Sequence, residues 1–364
     1  MIEQTLSANN PLLEDLWAFA KTETLLATFE LGLFAAIVQT KTPQTVQDLA
    51  NQLQVDPYGL KRLLSLLQTW GYVTLNSDRT TVFPTPQTIE LLGSATQKAG
   101  WLAYATYIRQ VQAAWGGLTS TLQHGTPTGS AFSLSEAEAR FSHLNEGLRL
   151  LHEPLATDLF SVLASYLPAK TAETSLHCVD VGAGSGVWSL PFLKAYPQGS
   201  VTFLDYPSVL AQAENSTALA PFKRRMRLIS CDFESSSLEW QTETIAPAQV
   251  VLIANVLREL SPEAQINLLK KAWQQVEQGG IIVVVEALAN DASKPATPLV
   301  STVADLHLLA TSFSSTGCLI KTSLVQLCET TFESSGRIDF QWLQSDLFTG
   351  QGLSVLMIKR KVFD

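Results

Sequence analysis

The sequence predicts an α/β protein in which a doubly wound, mostly parallel β-sheet follows a helical N-terminal part. From His177 onward, short apolar runs alternate with helical segments. Near-continuous apolar strands of this kind are typical of a parallel sheet that helices cover on both faces. Before His177 the hydrophobic residues recur mainly with the helical period, which predicts helices there.

Composition limits the class of protein. The chain has 364 residues, 46% of them hydrophobic and 16% charged, which is enough for two domains with large cores. A net charge of −9 disfavours nucleic-acid binding. No apolar run reaches the roughly 18 residues of a membrane helix, and the N-terminus lacks the pattern of a signal peptide. The cysteines form no CxxC pair and have no zinc spacing with the histidines, so we expect reduced thiols, no metal and a cytoplasmic protein.

The N-terminal part has the element order of a winged helix. Helical periodicity covers residues 12–33, 46–53 and 60–67, and the segment YVTLNSDRTTVFPT then predicts two strands around an Asn-Ser-Asp turn. A winged helix that reads DNA places its third helix in the major groove. Here that helix offers only Lys61 and Arg62 as basic groups. We therefore favour a packing role, with the apolar helix faces buried against a partner chain.

A second helical region is predicted over residues 99–167, interrupted by the softer segment HGTPTGSAFSLSE. Four aromatic residues precede this segment, and we expect most of them in the core and one or two in a small-molecule pocket. They are Trp101, Tyr104, Tyr107 and Trp115. The changes of pattern predict three domains, 1–95, 96–170 and 171–364.

A glycine-rich loop follows the first strand of the predicted sheet. The strand ends in Asp180, and Gly182, Gly184 and Gly186 then let a ligand approach the backbone closely. The GxGxxG pattern of dinucleotide-binding proteins would need glycine at position 187, where this chain has valine. A carboxylate at Asp180 would repel a pyrophosphate and attract a cationic amino group. A nicotinamide oxidoreductase is therefore the less favoured alternative.

Acidic residues also end the next two strands. Asp205, in FLDYP, is placed to accept hydrogen bonds from ribose hydroxyls. In CDFE, Asp232 can accept from an adenine amino group and Phe233 can pack against the adenine ring. An amino-acid group, a ribose and an adenine, bound in strand order, describe S-adenosylmethionine better than a dinucleotide.

These motifs resemble those of the class I S-adenosylmethionine-dependent methyltransferases, which have a Rossmann-like fold. From about Leu12 to its end the chain resembles the small-molecule O-methyltransferase family of plants and bacteria. The resemblance is carried by TVQDLANQLQVDPYGLKRLLSLLQTWGYV, VDVGAGSG, FLDYP, CDFE and VLRELSPEAQINLLKKAWQQVEQGGIIVVVE. It implies S-adenosyl-L-methionine as cofactor, a small-molecule methyl acceptor and a homodimer.

The resemblance also assigns roles along the chain. Residues 1–95 would be a winged-helix dimerisation domain, 96–170 would contribute to the substrate pocket, and 171–364 would bind the cofactor and carry catalysis. Tyr206 would pack near the adenine, and Asn255 would lie near the sulfonium.

The catalytic base of the family is not found at its usual position. The family has VLHDW after the fourth strand, and its histidine deprotonates the acceptor hydroxyl. This chain has VLREL, with Arg258 at the histidine position and Glu259 at the aspartate position. The segment where the family has a supporting glutamate reads SSTGCLIKTS and contains no acid. Arginine stays protonated in proteins and cannot act as a base.

Four interpretations stay open. Arg258 contacts an acceptor that is already anionic, such as a carboxylate or an acidic enol. Alternatively, His307, on the helix after the fifth strand, acts as the base. A third possibility is methylation of carbon, or catalysis mainly by proximity. In the fourth, methyl transfer has been lost, which leaves a cofactor-binding homologue or a regulator. Each residue also has an interpretation without a catalytic role. Arg258 would then form a surface ion pair with Glu259 or Glu263, and His307 would be a packed helix residue.

Overall fold

The computed structural model divides into two compact units, Met1–Gln110 and Val111–Asp364. It describes residues 11–39, 42–125, 134–169, 171, 173–234, 245–289, 299–311, 317–332, 338–344, 348 and 352–361. The division falls within the helix Ala95–Gly116. The domain boundaries at residues 95 and 170 stay predictions.

The N-terminal unit combines helices with a small antiparallel sheet, whose strand order is β1-β3-β2. Its elements are α1 (Pro11–Glu30), α2 (Leu33–Gln39), β1 (Gln44–Thr45), α3 (Val46–Leu53), α4 (Pro57–Thr69), β2 (Val73–Leu75), β3 (Thr81–Pro84) and α5 (Pro86–Leu92). The predicted order of helices and hairpin is present. The separate helix α2 and the strand β1 were not predicted.

Local sequence signals explain the bounds of α4. The Asp56 carboxylate accepts a hydrogen bond from the Gly59 N–H at 2.6 Å, and Pro57 occupies the first turn, where no N–H is needed. Gly71 follows the last turn with a left-handed φ of 78°. The apolar face of α4, with Leu60, Leu64 and Leu67, is buried in the core of this unit.

One face of α1 is apolar and exposed to solvent. Its exposed residues are Leu12, Leu13, Leu16, Trp17 and Phe19, between 55% and 65% exposed. Among the described residues no single helix is long and apolar enough to cross a membrane. The bent pair of α1 and α2, which meet at 61°, reaches that length and apolarity only when the two helices are taken together.

The C-terminal unit is built around a twisted, mostly parallel sheet with the strand order β6-β5-β4-β7-β8-β10-β9. Its elements, after the shared helix α6 (Ala95–Gly116), are α7 (Leu118–His124), α8 (Leu134–Leu163), β4 (His177–Val181), α9 (Leu190–Ala195), β5 (Ser200–Asp205), α10 (Pro207–Asn215), β6 (Met226–Ser230), β7 (Ala248–Ala254), α11 (Pro262–Gln275), β8 (Val276–Glu286), α12 (Leu299–Thr311), α13 (Lys321–Phe332), β9 (Ile338–Leu343) and β10 (Ser354–Arg360).

The strand order places a ligand crevice at the carboxyl end of β4. From β4 the chain adds β5 and β6 on one side, and then β7 and β8 on the other, all in parallel. Ligands of doubly wound sheets bind where the order reverses in this way. The apolar runs are buried on both faces; Val283, Val284 and Val285 of β8 have no exposed surface. The predicted antiparallel pair is present at the sheet edge, with β10 lying between β8 and β9.

Candidate functional site

The loop after β4 needs glycine for two separate reasons. Gly182, Gly184 and Gly186 have φ values of 65°, 55° and 70°, which L side chains rarely adopt. In addition, a Cβ atom at Gly182 would collide with the Val256 side chain, and one at Gly186 would lie 2.8 Å from Leu219 Cδ1. The loop therefore packs closely against its surroundings and brings its backbone to the carboxyl end of β4.

Asp180, the last acid of β4, is buried and unpartnered. It is 1% exposed, and neither carboxylate oxygen has a hydrogen-bond partner among the described residues. Burial raises the pKa of Asp180 to about 7; the neighbouring Ser189 hydroxyl and N–H oppose the rise, although neither reaches hydrogen-bonding geometry. A buried carboxylate without a partner is costly. This one fits a ligand that brings a cationic donor, such as an amino group.

Asp205, at the end of β5, is hydrogen-bonded to the backbone of the glycine loop. One of its oxygens accepts from the Gly184 N–H at 2.8 Å, and the other accepts from the Tyr206 N–H at 2.7 Å. Burial raises the pKa of Asp205 to about 6, and these two hydrogen bonds oppose the rise. A carboxylate has about four acceptor positions, so Asp205 keeps capacity for two hydroxyl donors. A role toward ribose is therefore compatible with its role in the loop.

Two aromatic side chains pack against each other beside Asp205. The rings of Tyr206 and Phe233 meet edge to face with centroids 5.8 Å apart, and Phe233 is 3% exposed. Asp232 is exposed and accepts from the Glu234 N–H at 3.1 Å. Glu234 in turn accepts from the N–H and hydroxyl of Ser261, which begins α11. A flat ring with an amino donor can pack against the partly exposed Tyr206 and donate to the exposed Asp232, whereas Phe233 has almost no surface to offer.

Arg258 follows β7 and is bound on two sides. Its Nη1 donates to Asn255 Oδ1 at 2.6 Å and to Glu286 Oε2 at 3.3 Å, while its Nε lies 3.7 Å from Glu259. Asn255 has a left-handed φ of 59°, and its Nδ2 is buried without an acceptor among the described residues. The predicted residues Asn255 and Arg258 thus form one group, with an unused buried donor at its centre.

Glu286 is a site residue that the sequence analysis missed. It ends β8, is 1% exposed, and accepts from the Leu257 N–H at 2.8 Å as well as from Arg258. Burial raises the pKa of Glu286 to about 7, although the charge of Arg258 opposes the rise. The signal was available, because VVVE ends a strand in an acid, as VDV and FLD do. Of the two glutamates expected near Arg258, Glu259 is within 4 Å, but the buried partner is Glu286.

His307, the predicted alternative base, lies on α12 beside Trp115. The Trp115 indole N–H donates to His307 Nδ1 at 3.1 Å, and the rings stack with centroids 6.1 Å apart. This assignment places the proton of the neutral imidazole on Nε2. Its Nδ1 is thus engaged by Trp115, and a role of His307 as the base stays a prediction.

His152 is a second residue that the sequence analysis did not single out. It lies on α8, with its ring centroid 5.1 Å from that of Trp188, directly after the glycine loop. Burial, together with the positive charge of Arg258, lowers the pKa of His152 to about 4.

The Cys318 thiol also responds to the charge of Arg258. Burial raises the pKa of this thiol to about 11, and Arg258 opposes the rise. The Cys318 N–H donates to Asp305 of α12 at 2.7 Å.

Within the described ranges, no group of three or more His, Cys, Asp or Glu residues could hold a metal ion. A cavity of about 10 Å³ lies among apolar side chains of α8, β4 and β7, including Ala156, Cys178 and Leu252. It has the size of one water molecule and belongs to the core.

The sheet order, the glycine loop and the strand-end acids define the class I S-adenosylmethionine-dependent methyltransferase fold. Within that class, the chain belongs to the O-methyltransferase family. The model of the O-methyltransferase domain matches residues 118–317, and that of the O-methyltransferase dimerisation domain matches residues 13–87. The enzyme is therefore an S-adenosylmethionine-dependent O-methyltransferase of small molecules.

Individual relatives are distant. Acetylserotonin O-methyltransferase of Gallus gallus is 23% identical over 280 residues, which cover 75% of this chain and 78% of that protein. Myricetin O-methyltransferase of Catharanthus roseus is 23% identical over 291 residues, with 76% and 78% covered. The solved structure of human N-acetylserotonin methyltransferase in complex with S-adenosylmethionine superposes with a TM-score of 0.77 at 19% identity, over 98% of this chain and 99% of that one. At this identity the structural likeness shows the fold.

Proposed function

We propose that the protein is a homodimer and transfers the methyl group to a hydroxyl or carboxylate of a small, cyclic metabolite, without a histidine at the usual base position. The observation that carries the proposal is the group of Arg258, Asn255 and Glu286 at the ends of β7 and β8. By the resemblance in sequence, Arg258 is at the position of the family's base, and its positive charge favours an oxygen nucleophile that is anionic or becomes so.

The cofactor residues follow from the orphaned and strained groups. Asp180 would accept from the amino group of S-adenosylmethionine, since its carboxylate is buried without a partner. Asp205 would accept from the ribose hydroxyls. Tyr206 and Asp232 would contact the adenine, with Phe233 packed against Tyr206, and Asn255, whose Nδ2 is buried without an acceptor among the described residues, would lie near the sulfonium. When bound, the cofactor supplies an electrophilic methyl group on a sulfonium sulfur.

A comparison of free energies shows which methyl acceptors Arg258 can assist. A phenol is about 0.1% ionised at pH 7, a deficit of roughly 4 kcal/mol. A hydrogen bond to a charged group contributes about 1.5–3 kcal/mol, and Glu286 already offsets part of the Arg258 charge. Arg258 can therefore assist an acidic enol or hold a carboxylate, but an ordinary phenol needs a further proton acceptor.

The N-terminal unit supports the homodimer. It carries the dimerisation family match, and the exposed apolar face of α1 is suited to burial against another copy of the chain. The winged-helix order of this unit has few basic groups on α4, so we assign it to assembly.

The first test is titration calorimetry with S-adenosylmethionine and with S-adenosylhomocysteine, and we expect both to bind at micromolar strength. Mass spectrometry should then detect methylated product from a panel of acceptors: N-acetylserotonin, myricetin, simple phenols, aromatic carboxylates and cyclic enols. NMR of the product locates the methyl group on oxygen. If neither cofactor compound binds, or if the methyl group is found on carbon, the proposal is wrong.

A further inference from the structure

One face of α8 lies along the glycine loop. Asn145, Arg149 and His152 are spaced by four and three residues, which places them on the same side of a helix. The Asn145 Oδ1 would lie 3.1 Å from a Cβ atom at Gly184, and the His152 ring packs against Trp188. This face therefore follows the loop from its centre to its end.

His152 is held by a firmly packed part of α8. In the next turn Leu155, Ala156 and Leu159 are at most 2% exposed and belong to the core beneath the sheet. Glu153 lies 3.9 Å from Lys194 of α9. A side chain at the edge of such a core has a defined position, which a catalytic group requires.

The imidazole of His152 makes no hydrogen bond among the described residues, and its ring packs against Trp188 at the end of the glycine loop. No hydrogen bond of either ring nitrogen occurs within the described part of the chain, whereas His307 is held by Trp115 and His177 by Ser200 and Thr202. Burial lowers the pKa of His152, and the positive charge of Arg258 lowers it further. The imidazole is therefore neutral at physiological pH and can accept a proton.

We propose that His152 is the general base that deprotonates the acceptor hydroxyl, reaching from α8 the place that the family's histidine reaches from the end of β7. The inference rests on the proposed function. The acceptor O–H bond breaks, and its proton passes to an imidazole nitrogen while the electron pair stays on oxygen. That oxygen forms the bond to the methyl carbon, and the C–S pair moves to sulfur. The positive charge of the sulfonium is thus replaced by that of the imidazolium.

The timing of proton transfer follows from the charges. Burial and the charge of Arg258 make His152 a weak base, so the proton moves as the O–C bond forms and the acceptor oxygen becomes more acidic. Arg258 meanwhile stabilises negative charge on the same oxygen, and Glu286 keeps the guanidinium in place.

The kinetic test compares His152→Phe and His152→Gln with the control His124→Gln. His152→Phe keeps an aromatic ring against Trp188, while His124 is exposed and bonded to the Ser120 carbonyl of its own helix. We expect kcat/KM on phenols to fall by about 10²- to 10⁴-fold in both His152 variants and to stay unchanged in the control. Affinity for S-adenosylhomocysteine should stay within about twofold in all three, as expected for a group that acts on the acceptor alone.

A graded series of nitrophenols separates a base from a structural group. The loss in His152→Phe should shrink as the phenol becomes more acidic and vanish for one that is ionised at the assay pH. An equal loss along the series would overturn the inference. So would full activity of His152→Phe, or a loss that appears in His307→Gln instead. In each of these cases cofactor binding and methylation by the native enzyme would still stand, whereas a native enzyme that lacks both would refute the proposed function itself.

A second readout needs no turnover. The imidazole Cε1–H signal of His152, assigned by its absence in His152→Phe, should titrate at lower pH in the native protein than in Arg258→Gln. A titration that Arg258→Gln leaves unchanged would show that the charge of Arg258 does not act on this imidazole and would overturn the inference.

Discussion

Arg258 and Glu286 form an ion pair that is largely withdrawn from solvent, with Nη1 and Oε2 3.3 Å apart. Glu286 is 1% exposed and the Arg258 side chain 17%. The same guanidinium nitrogen donates to Asn255 Oδ1 at 2.6 Å. One cation therefore joins the carboxyl ends of β7 and β8. Removing a single partner of a buried pair is costly, because the remaining charge loses its compensation.

Arg258→Gln should lower the free energy of unfolding by about 3–5 kcal/mol at pH 8, since it leaves the Glu286 carboxylate buried without a cation. The double variant Arg258→Gln/Glu286→Gln should recover most of that loss. The loss should also shrink toward pH 6. A carboxyl with a raised folded pKa contributes stability that is present at low pH and lost as the pH rises through that value, here about 7.

Urea unfolding at pH 6 and pH 8 measures these differences. The control is Arg62→Gln on α4, whose guanidinium is exposed and contacts only the Tyr58 hydroxyl and ring among the described residues. We expect a change below about 0.5 kcal/mol there. Equal losses in the single and the double Arg258 variants would contradict the interpretation of a buried pair.

Asp180→Asn should change stability and cofactor affinity in opposite directions. It removes a buried carboxylate without a partner, so at pH 8 the free protein should be at least as stable as the native one. It also removes the charge that we assign to the cofactor amino group, so affinity for S-adenosylhomocysteine should fall by about 10- to 100-fold, or roughly 1.5–3 kcal/mol. The control Glu263→Gln changes an exposed acid in the first turn of α11 and should affect neither quantity.

The pH dependence of binding has a defined sign. Burial raises the pKa of Asp180 to about 7, so near pH 6 the free protein holds a proton there that an ammonium ligand must displace. Affinity should therefore rise as the pH rises through about 7, and binding at pH 6 should release protons. Calorimetry in two buffers with different ionisation enthalpies measures this release. If the native protein and Asp180→Asn release the same number of protons on binding, the released protons come from another group, such as Asp205.

Local patterns explain how much of the site could be predicted. The glycine loop and the acids Asp180 and Asp205 lie at strand ends, so an apolar run followed by a characteristic residue was enough to find them. Glu286 carries the same signal, but its importance depends on Arg258, 28 residues away, and on the pairing of β7 with β8. Without that pairing the resemblance directed attention only to the segment around Cys318.

His152 was out of reach for a different reason. Its relevance comes from the way α8 packs over the glycine loop, which the periodicity of a helix does not specify. The fold shows the same difference between features that local sequence predicts and features that tertiary packing determines. Apolar strands with intervening helices predicted the parallel sheet, and the last two strands were expected at its edge. That β10 pairs with both β8 and β9 is a result of tertiary packing.

Gly182→Ala should destabilise the protein and weaken cofactor binding. A left-handed φ costs an L-residue about 1–2 kcal/mol, and the new Cβ would collide with the Val256 side chain. In Val256→Ala the collision is relieved, so Gly182→Ala should cost less in that background, leaving mainly the backbone cost. Thermal unfolding and calorimetry of the four proteins measure the coupling. As a control, Gly116→Ala adds a Cβ in open space and should be neutral or stabilising. Additive effects of Gly182→Ala and Val256→Ala would rule out the collision between the new Cβ and the Val256 side chain.

The apolar face of α1 leads to a prediction about assembly. Leu16 and Trp17 are 65% and 60% exposed in the single chain, and large exposed apolar groups on a dimerisation domain are expected to be covered by a partner. Trp17→Glu would place a charge in that buried surface, so the dimer should dissociate to monomer at micromolar concentration. Analytical ultracentrifugation measures the mass, and circular dichroism checks that the helices persist. The control Gln52→Glu adds the same charge at an exposed position of α3 and should remain dimeric. If the native chain sediments as a monomer, or if Trp17→Glu stays dimeric, this face is not the dimer interface.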